Sequence, residues 1–475
     1  MSSLLARLAR HAADRPDAQA YCAASAGSKS WRELALGVAA LADVLRQRLS
    51  PGAVVILSCP NQLEYPIAFL GILAARCTAF PISPSAPDAE LLRAARDSSA
   101  VGIIGDDRAL RLLGASLRLA LPIMGLPSGG GAAIDRGLGD LLLQSSGTTG
   151  EPKILRRTGA SLDAVASAMV EAIGFGSEDR VLMTVPLTHS YGLEHGLLAP
   201  IWAGSAVHLS GLMQISTVLP ELRDATILPG VPSTFEMLAA SSESEVSAPM
   251  MRMAYSAGGP LPRSVFDAFG ARFGIRLSQL YGASEIGSVT FNAPGDPFDA
   301  ASVGRPMRGV SIRVLDLDAN AGGDGAGREG HIAVRAASMF SGYLSGAADL
   351  IDGHFPTGDI GYVDDAGRLF ITGRLKLLID VGGLKVNPLE VESVLMRHPA
   401  VEACVVVPLR QSQTVLRLKA IVTLRSGLTS MPIDELRELA RQHLSAYKVP
   451  RVFEVRDSLP RSATGKVLRH LVETR

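Results

Sequence analysis

Residues 145–153 read Ser-Ser-Gly-Thr-Thr-Gly-Glu-Pro-Lys. Hydroxyls alternate with glycines that let backbone N–H groups approach an anion, a proline closes the flexible run, and Lys153 follows as a compact positive charge. Taken alone, the hydroxyl–glycine part also suits a solvated turn, because Gly, Ser and Thr cluster in ordinary loops. The Pro-Lys ending tips the reading towards a phosphate cradle. A Walker-type loop is excluded on spacing, since the chain from Gly147 does not supply G-x-x-x-x-G-K-[ST].

Outward from this stretch the chain alternates apolar, β-rich runs such as AVVIL (53–57) and VLMTV (181–185) with amphipathic runs such as WRELALGVAALADVLRQRL (31–49). That pattern predicts an α/β fold of sheets covered by helices. DLDANAGGDGAGREG (316–330) reads as a Gly- and Asp-rich loop between strands. Beyond about residue 374 a smaller unit is expected, in which LEVESVLMRHPAVEACVVV (389–407) reads as helix, turn and strand. The expectation is a large, multi-part N-terminal α/β domain over 1–374 and a small, mobile α+β C-terminal domain over 375–475.

A chain of 475 residues with 47% hydrophobic content can bury at least one large core. Its formal charge of +0 gives no long-range pull towards nucleic acid or anionic lipid, so any anion site is local. Cys22, Cys59, Cys77 and Cys404 contain no C-x-x-C pair, which speaks against a zinc site or a disulfide framework. In the opening MSSLLARLARHAADRPD, Arg7, Arg10 and Asp14 interrupt the apolar positions; no secretory leader is expected, and cytoplasm is the expected compartment. The uncharged stretch between Glu194 and Glu221 is broken by Pro200, Gly204 and Gly211. It reads as a buried strand and turn rather than a membrane span.

Lysine is rare here: Lys29, Lys153, Lys376, Lys385, Lys419, Lys448 and Lys466 stand among 46 basic residues. Arginine is the ordinary surface cation. Lysine, a compact charge on a flexible stem, suits following a phosphate through a reaction.

In order along the chain come SWRELALGVAALADVLR, PNQLEYPIAFLGILAARCTAFPISP, LLLQSSGTTGEPK, PLTHSYGLEHGLL, SAGGPLP, LYGASEIG, TGDIGYVDDAGRLFITGRLKLLIDVGGLKVNPLEVE and LPRSATGKVLR. The set resembles the adenylate-forming ligases, acyl-CoA synthetases among them, over nearly the whole length. The resemblance implies two steps: a carboxylate attacks the α-phosphorus of ATP to give an acyl-adenylate and pyrophosphate, and a thiol then displaces AMP. Because two anions must meet in the first step, cations and aligned donors are needed where charge builds up.

By that resemblance Lys466 bridges the carboxylate and the α-phosphate. Ser145, Ser146, Gly147, Thr148, Thr149, Gly150 and Lys153 hold the outer phosphates, and Glu285 with Thr149 holds Mg²⁺. Tyr281 stacks on adenine, the backbone of Ala257, Gly258 and Gly259 covers its other face, and Gly282 and Ser284 complete that turn. Asp359 and Arg374 take the ribose or phosphate. Lys376 marks a hinge that presents first Lys466 and then the pair Gly382 and Gly383, which would let a pantetheine arm pass. His189 gates or contacts the carboxylate, a buried core histidine being the alternative. Val231, Pro232 and Leu280 wall the acyl pocket, with Leu280 restricting it. Ile154 and Leu155 after Lys153, and Ser284 in place of the commoner threonine, depart from the family's usual pattern. Acetylation of Lys466 would remove the charge it needs.

The implied activity is an ATP-dependent acyl-CoA ligase, with carboxylic acid, ATP and CoA as substrates and Mg²⁺ as cofactor. A ligase loading a carrier protein's pantetheine thiol is the alternative, and a catalytically silent nucleotide-binding scaffold is the rival of a different class. The acid, medium-chain aliphatic or aryl, and the oligomeric state stay open in the sequence.

Overall fold

The structure, a computed structural model, describes residues 3–23, 26–113, 117–120, 138–145, 153–210, 215–241, 248–294, 299–316, 327–381, 384–410, 416–425, 433–444, 446–461 and 467–473. It divides into two compact units, Met1–Ile312 with Val334–Phe355 and Arg313–Ala333 with Pro356–Arg475.

The first unit carries two sheets. One has the strand order Gly342–Tyr343, Lys153–Arg157, Leu141–Ser145, Thr78–Pro81, Val54–Ser58, Gly102–Gly105 and Leu117–Ala120. Its inner strands VVILS, TAFP and GIIG are parallel and almost wholly buried, the pattern of a sheet with both faces covered. Towards one edge the pairing turns antiparallel, and Ser145 lies opposite Lys153. The two ends of the expected phosphate loop therefore meet across a hairpin mouth. Gly342–Tyr343 pairs with the other side of Lys153–Arg157 and sets Tyr343 opposite Leu155.

The other sheet runs Ser302–Pro306, Gly287–Phe291, Leu277–Ala283, Met253–Ser256, Ile227–Gly230, Arg180–Met183, Ala206–Leu209, Gln19–Ala23 and Gly27–Ser30. From Leu277–Ala283 to Gln19–Ala23 neighbouring strands are parallel. Their carboxyl ends lead into residues 184–189, 231–232 and 257–259, and ligands of open parallel sheets bind beyond such ends. The helix Trp31–Arg48 begins with a capping box: the Glu33 N–H donates to Ser30 Oγ and the Ser30 N–H to the Glu33 carboxylate. It buries Trp31, Leu34, Val38, Leu41 and Leu45 along one face, against the helix Glu64–Ala74.

Residues 194–221 depart from the strand-and-turn expectation. A π-helical turn, Glu194–Leu198, leads into the helix Ala199–Ala203 and only then into the strand Ala206–Leu209. Pro200 stands in the first helical turn, and Gly204 caps the end at φ 82°. Pro200 and Gly204, read as breakers, are helix punctuation; Gly211 lies outside the described residues. Among the described residues, no helix is long and apolar enough to cross a membrane.

In the second unit Phe355–Val363 and Leu369–Arg374 pair antiparallel, with Asp359 opposite Arg374. There follow a short 3-10 turn, Leu375–Leu377, the hairpin strands Ile379–Val381 and Leu384–Val386, and the helix Pro388–Leu395. A three-stranded sheet of Val401–Arg410, Leu416–Leu424 and Val452–Val455 packs Val406, Leu418 and Val422 with Val391, Leu395 and Leu436 of the helices. Arg461 and Val467 form an isolated antiparallel bridge. The large α/β unit and the smaller mixed unit agree with the fold class read from the sequence.

Candidate functional site

Ser145 and Lys153 are described; Ser146, Gly147, Thr148, Thr149 and Gly150 lie outside the described residues. The Lys153 ammonium lies 5.0 Å from the centre of the Tyr343 ring. The Tyr343 hydroxyl donates to Glu285 Oε1 at 3.1 Å, and the Phe340 N–H donates to the Glu285 carbonyl at 2.7 Å. Two expected site residues, Lys153 and Glu285, are thus brought together by Tyr343, which the sequence reading did not single out. Burial first, and then the nearby Glu285 carboxylate, raise the Tyr343 pKa, so the phenol stays a donor.

Across from Glu285, the hydroxyls of Ser284 and Ser190 are 3.3 Å apart. His189 precedes Ser190 at the cap of the short helix Ser190–Leu193 and is exposed, not the core histidine of the alternative reading. Protein packed around its ring still lowers its pKa by desolvation, so the imidazole is held neutral.

On Leu277–Ala283, Leu280 and Tyr281 face opposite sides of the strand. Tyr281 is half-buried, whereas Leu280 is buried in the same core cluster as Val231 and Ala257. The Ala257 N–H donates to the Gly230 carbonyl at 3.1 Å. Gly258 sits at φ +83°, and a Cβ there would lie 3.7 Å from Val231 Cγ1; one on Gly259 would lie 3.8 Å from Pro232 Cγ. The glycine pair and two of the expected wall residues, Val231 and Pro232, are therefore neighbours. At Gly282 a Cβ would stand 2.6 Å from the Gly287 carbonyl oxygen, so the Tyr281–Glu285 turn closes only without a side chain there.

Behind these residues is a buried polar chain that the sequence reading missed. Arg157 and Glu194 form an ion pair whose side chains are 0% and 2% exposed. Glu194 Oε2 also accepts from the Ser288 N–H at 3.0 Å and the Ser288 hydroxyl at 2.8 Å. His195 joins Ser288 Oγ (3.2 Å, through Nε2) to the Tyr255 hydroxyl (2.6 Å, through Nδ1). Because Ser288 gives its proton to Glu194, Nε2 carries the imidazole hydrogen and Nδ1 accepts from Tyr255. Burial pushes the His195 pKa down to about 3, so this ring is neutral. Tyr191 packs on His195 at 4.5 Å between ring centres and donates to the Gly230 carbonyl at 3.0 Å. Only Glu-His within GLEHG hinted at this chain, and its partners are far away in sequence.

In the second unit, Arg374 Nε donates to Asp359 Oδ1 at 2.5 Å, joining the two residues expected at the ribose. The Asp359 N–H donates to Thr357 Oγ1 and the Gly358 N–H to His331 Nε2, which fixes the Thr-Gly-Asp stretch of the strand Phe355–Val363. Lys376 begins no helix of length; it lies within the 3-10 turn Leu375–Leu377 directly after Arg374. Gly382, Gly383 and Lys466 lie outside the described residues. Arg469, three residues past Lys466, forms a bidentate pair with Glu392.

For Mg²⁺ the donor set is apt but small. Glu285 offers a hard carboxylate oxygen oriented by Tyr343, and among the described residues no group of three His, Cys, Asp or Glu could hold a metal alone. Mg²⁺ keeps waters and takes phosphate oxygens alongside one or two carboxylates, so a lone glutamate beside a triphosphate suits it.

The sequence matches the AMP-binding enzyme family over residues 8–122 and 141–344, and the AMP-binding enzyme C-terminal domain over 390–466. An oxalate–CoA ligase of Arabidopsis thaliana is 28% identical over 458 residues, spanning 89% of this chain and 88% of that protein. A malonate–CoA ligase of the same plant is 29% identical over 471 residues, spanning 88% of this chain and 77% of its own. The crystal structure of ATP-bound MatB from Rhodopseudomonas palustris has a TM-score of 0.92 at 26% identity and covers 100% of this chain and 98% of its own. With both parts of the family present in their order, the chain belongs to the AMP-binding enzymes.

Proposed function

We infer that this chain is an AMP-forming acyl-CoA ligase, which joins a carboxylic acid to CoA at the expense of ATP. The observation that carries the reading is the match to both family domains together with relatives named as CoA ligases along nearly nine-tenths of the chain. We propose a short acid as substrate, because the relatives named above are called oxalate–CoA and malonate–CoA ligases.

In the first half-reaction a carboxylate oxygen attacks the α-phosphorus and pyrophosphate leaves. Lys153 and the hairpin loop it closes would hold the outer phosphates, and Lys466 would neutralise the meeting anions. Tyr281 and residues 257–259 would hold adenine, and the Asp359–Arg374 pair the ribose. Glu285, with Thr149, would hold Mg²⁺, which supplies charge neutralisation on the phosphates. His189, neutral and at the pocket's edge, would contact the acid. In the second half-reaction the thiol sulfur attacks the acyl carbon, loses its proton, and AMP leaves. We divide these duties at Arg374, with a hinge at Lys376 and a thiol passage along Gly382 and Gly383, and place the reaction in the cytoplasm.

Mass spectrometry after incubation with Mg-ATP, CoA and a panel of short dicarboxylic, aliphatic and aryl acids tests this. A thioester with one class of acid supports the reading and names that class. Acyl-AMP without thioester redirects the acceptor to a carrier protein, and neither product rejects ligase activity.

A further inference from the structure

We propose that the buried Arg157–Glu194 pair is a positioning device for the adenylation half-reaction. The proposal rests on the ligase reading above. Each member of the pair belongs to a segment that also carries an expected site residue. Arg157 ends the strand Lys153–Arg157, and at spacing i, i+4 it shares a face of that strand with Lys153, about 13 Å away along the backbone. Glu194 opens the π-helical turn Glu194–Leu198, five residues past His189. Ser288, which gives Glu194 both its N–H and its hydroxyl, lies three residues past Glu285. One carboxylate therefore ties together the segments bearing the phosphate, acid and metal contacts.

Two observations separate this from ordinary core packing. Among the described residues, Arg157 Nε and Nη2 have no hydrogen-bond acceptor although the side chain is fully buried. With those two donors unmet, the desolvation of Arg157 is incompletely offset, and replacing such a buried pair by apolar residues of similar volume is often neutral for stability. The backbone is also shaped around the pair. Gly287 sits at φ +87°, and a Cβ there would lie 2.8 Å from Glu194 Oε1 and 3.0 Å from Arg157 Nη2. Glycine lets the Glu285 turn close directly onto the ion pair. A π-helical turn is itself a feature concentrated at functional sites.

The test is the double variant Arg157→Met with Glu194→Leu, because either single truncation strands a buried charge and is apt to unfold the protein. ATP–pyrophosphate exchange reports adenylation, conversion of supplied acyl-AMP and CoA to thioester reports the second half-reaction, and thermal unfolding reports the fold. The double variant should stay folded, its melting temperature lowered only by the Ser288 N–H and hydroxyl that lose their acceptor, and keep its thioester-forming rate, while kcat for exchange falls roughly 10²-fold, the usual consequence of misplacing reacting groups by about 1 Å. KM for MgATP and for the acid should change little. Full exchange activity in the folded double variant overturns the proposal, as does a parallel loss of both half-reactions. Absence of exchange in the wild-type protein with every acid tried would instead reject the ligase reading itself.

Discussion

Two arginine–glutamate pairs sit just beyond the two lysines expected to touch phosphate, and they are built differently. Arg157, four residues past Lys153, meets Glu194 with both side chains sealed from solvent and two guanidinium nitrogens without an acceptor among the described residues. Arg469, three residues past Lys466, grips Glu392 through Nη1 (2.7 Å) and Nη2 (2.5 Å) and also donates to the Val406 carbonyl at 3.2 Å. Glu392 Oε1 takes the Val406 N–H at 2.6 Å as well, and these side chains are 11–20% exposed. The second pair, through both carboxylate oxygens and the Val406 backbone, fastens the helix Pro388–Leu395, the strand Val401–Arg410 and the start of Arg469–Glu473 to one another. The bidentate grip and the Val406 bonds give the second pair a tying role, although burial still raises the Glu392 pKa ahead of the lowering by Arg469, whereas the deeper pair leaves two buried donors unmet among the described residues.

Lys466→Ala should show the largest effect, a fall of about 10² to 10³ in acyl-adenylate formation, with supplied acyl-adenylate still converted to thioester. Loss of both half-reactions would remove Lys466 from that role. Glu392→Ala comes next. It strands the Arg469 guanidinium and the Val406 N–H, which should cost the second unit ~2–3 kcal/mol. Both tryptophans, Trp31 and Trp202, belong to the first unit, so their fluorescence transition should stay put while calorimetry or hydrogen exchange shows the second unit melting earlier. An unchanged second unit would mean the pair contributes no net stability.

The difference between the pairs also marks what the sequence could reveal. Features set by local spacing were legible: the hydroxyl–glycine run beside Lys153, the amphipathic run at 31–49 that forms a helix, and Asp359 and Arg374 in the two Thr-Gly motifs that the paired strands place opposite each other. Glu285 was legible as a residue but not as a carboxylate held by Tyr343, because the two are 58 positions apart and meet only when Gly342–Tyr343 pairs with Lys153–Arg157. Arg157, Glu194 and Ser288 come from three segments with no shared periodicity. Pro200 and Gly204 misled for another reason: the same residues that break a helix interior also begin and end helices, and only the chain's path decides between the two.

Acid should separate the two regions further. His195, joined to Glu194 through Ser288, has its pKa depressed from 6.5 to about 3, so the unfolded chain takes up a proton that the folded first unit refuses. Its contribution to stability is whole above pH 6.5 and is lost progressively as pH falls towards 3, at up to ~1.4 kcal/mol per pH unit. The tryptophan-monitored transition should therefore weaken along that slope, and His195→Gln should flatten it. An equally steep slope in the variant would assign the acid sensitivity to other groups.

The smallest effect should come from Tyr343, which touches Lys153 with its ring and Glu285 with its hydroxyl. Tyr343→Phe keeps the ring face under the Lys153 ammonium and deletes only the hydrogen bond that aims the carboxylate. One such bond is worth about 1 kcal/mol, or about fivefold in an equilibrium constant. In a titration of exchange activity the Phe variant should need about fivefold more Mg²⁺, with the KM for ATP at saturating metal unchanged. Tyr343→Leu, which removes the ring too, should raise that KM as well. Because the two contacts are made by different parts of one side chain, a Phe variant with a wild-type Mg²⁺ titration would detach Glu285 from the metal while leaving Lys153 at the phosphates.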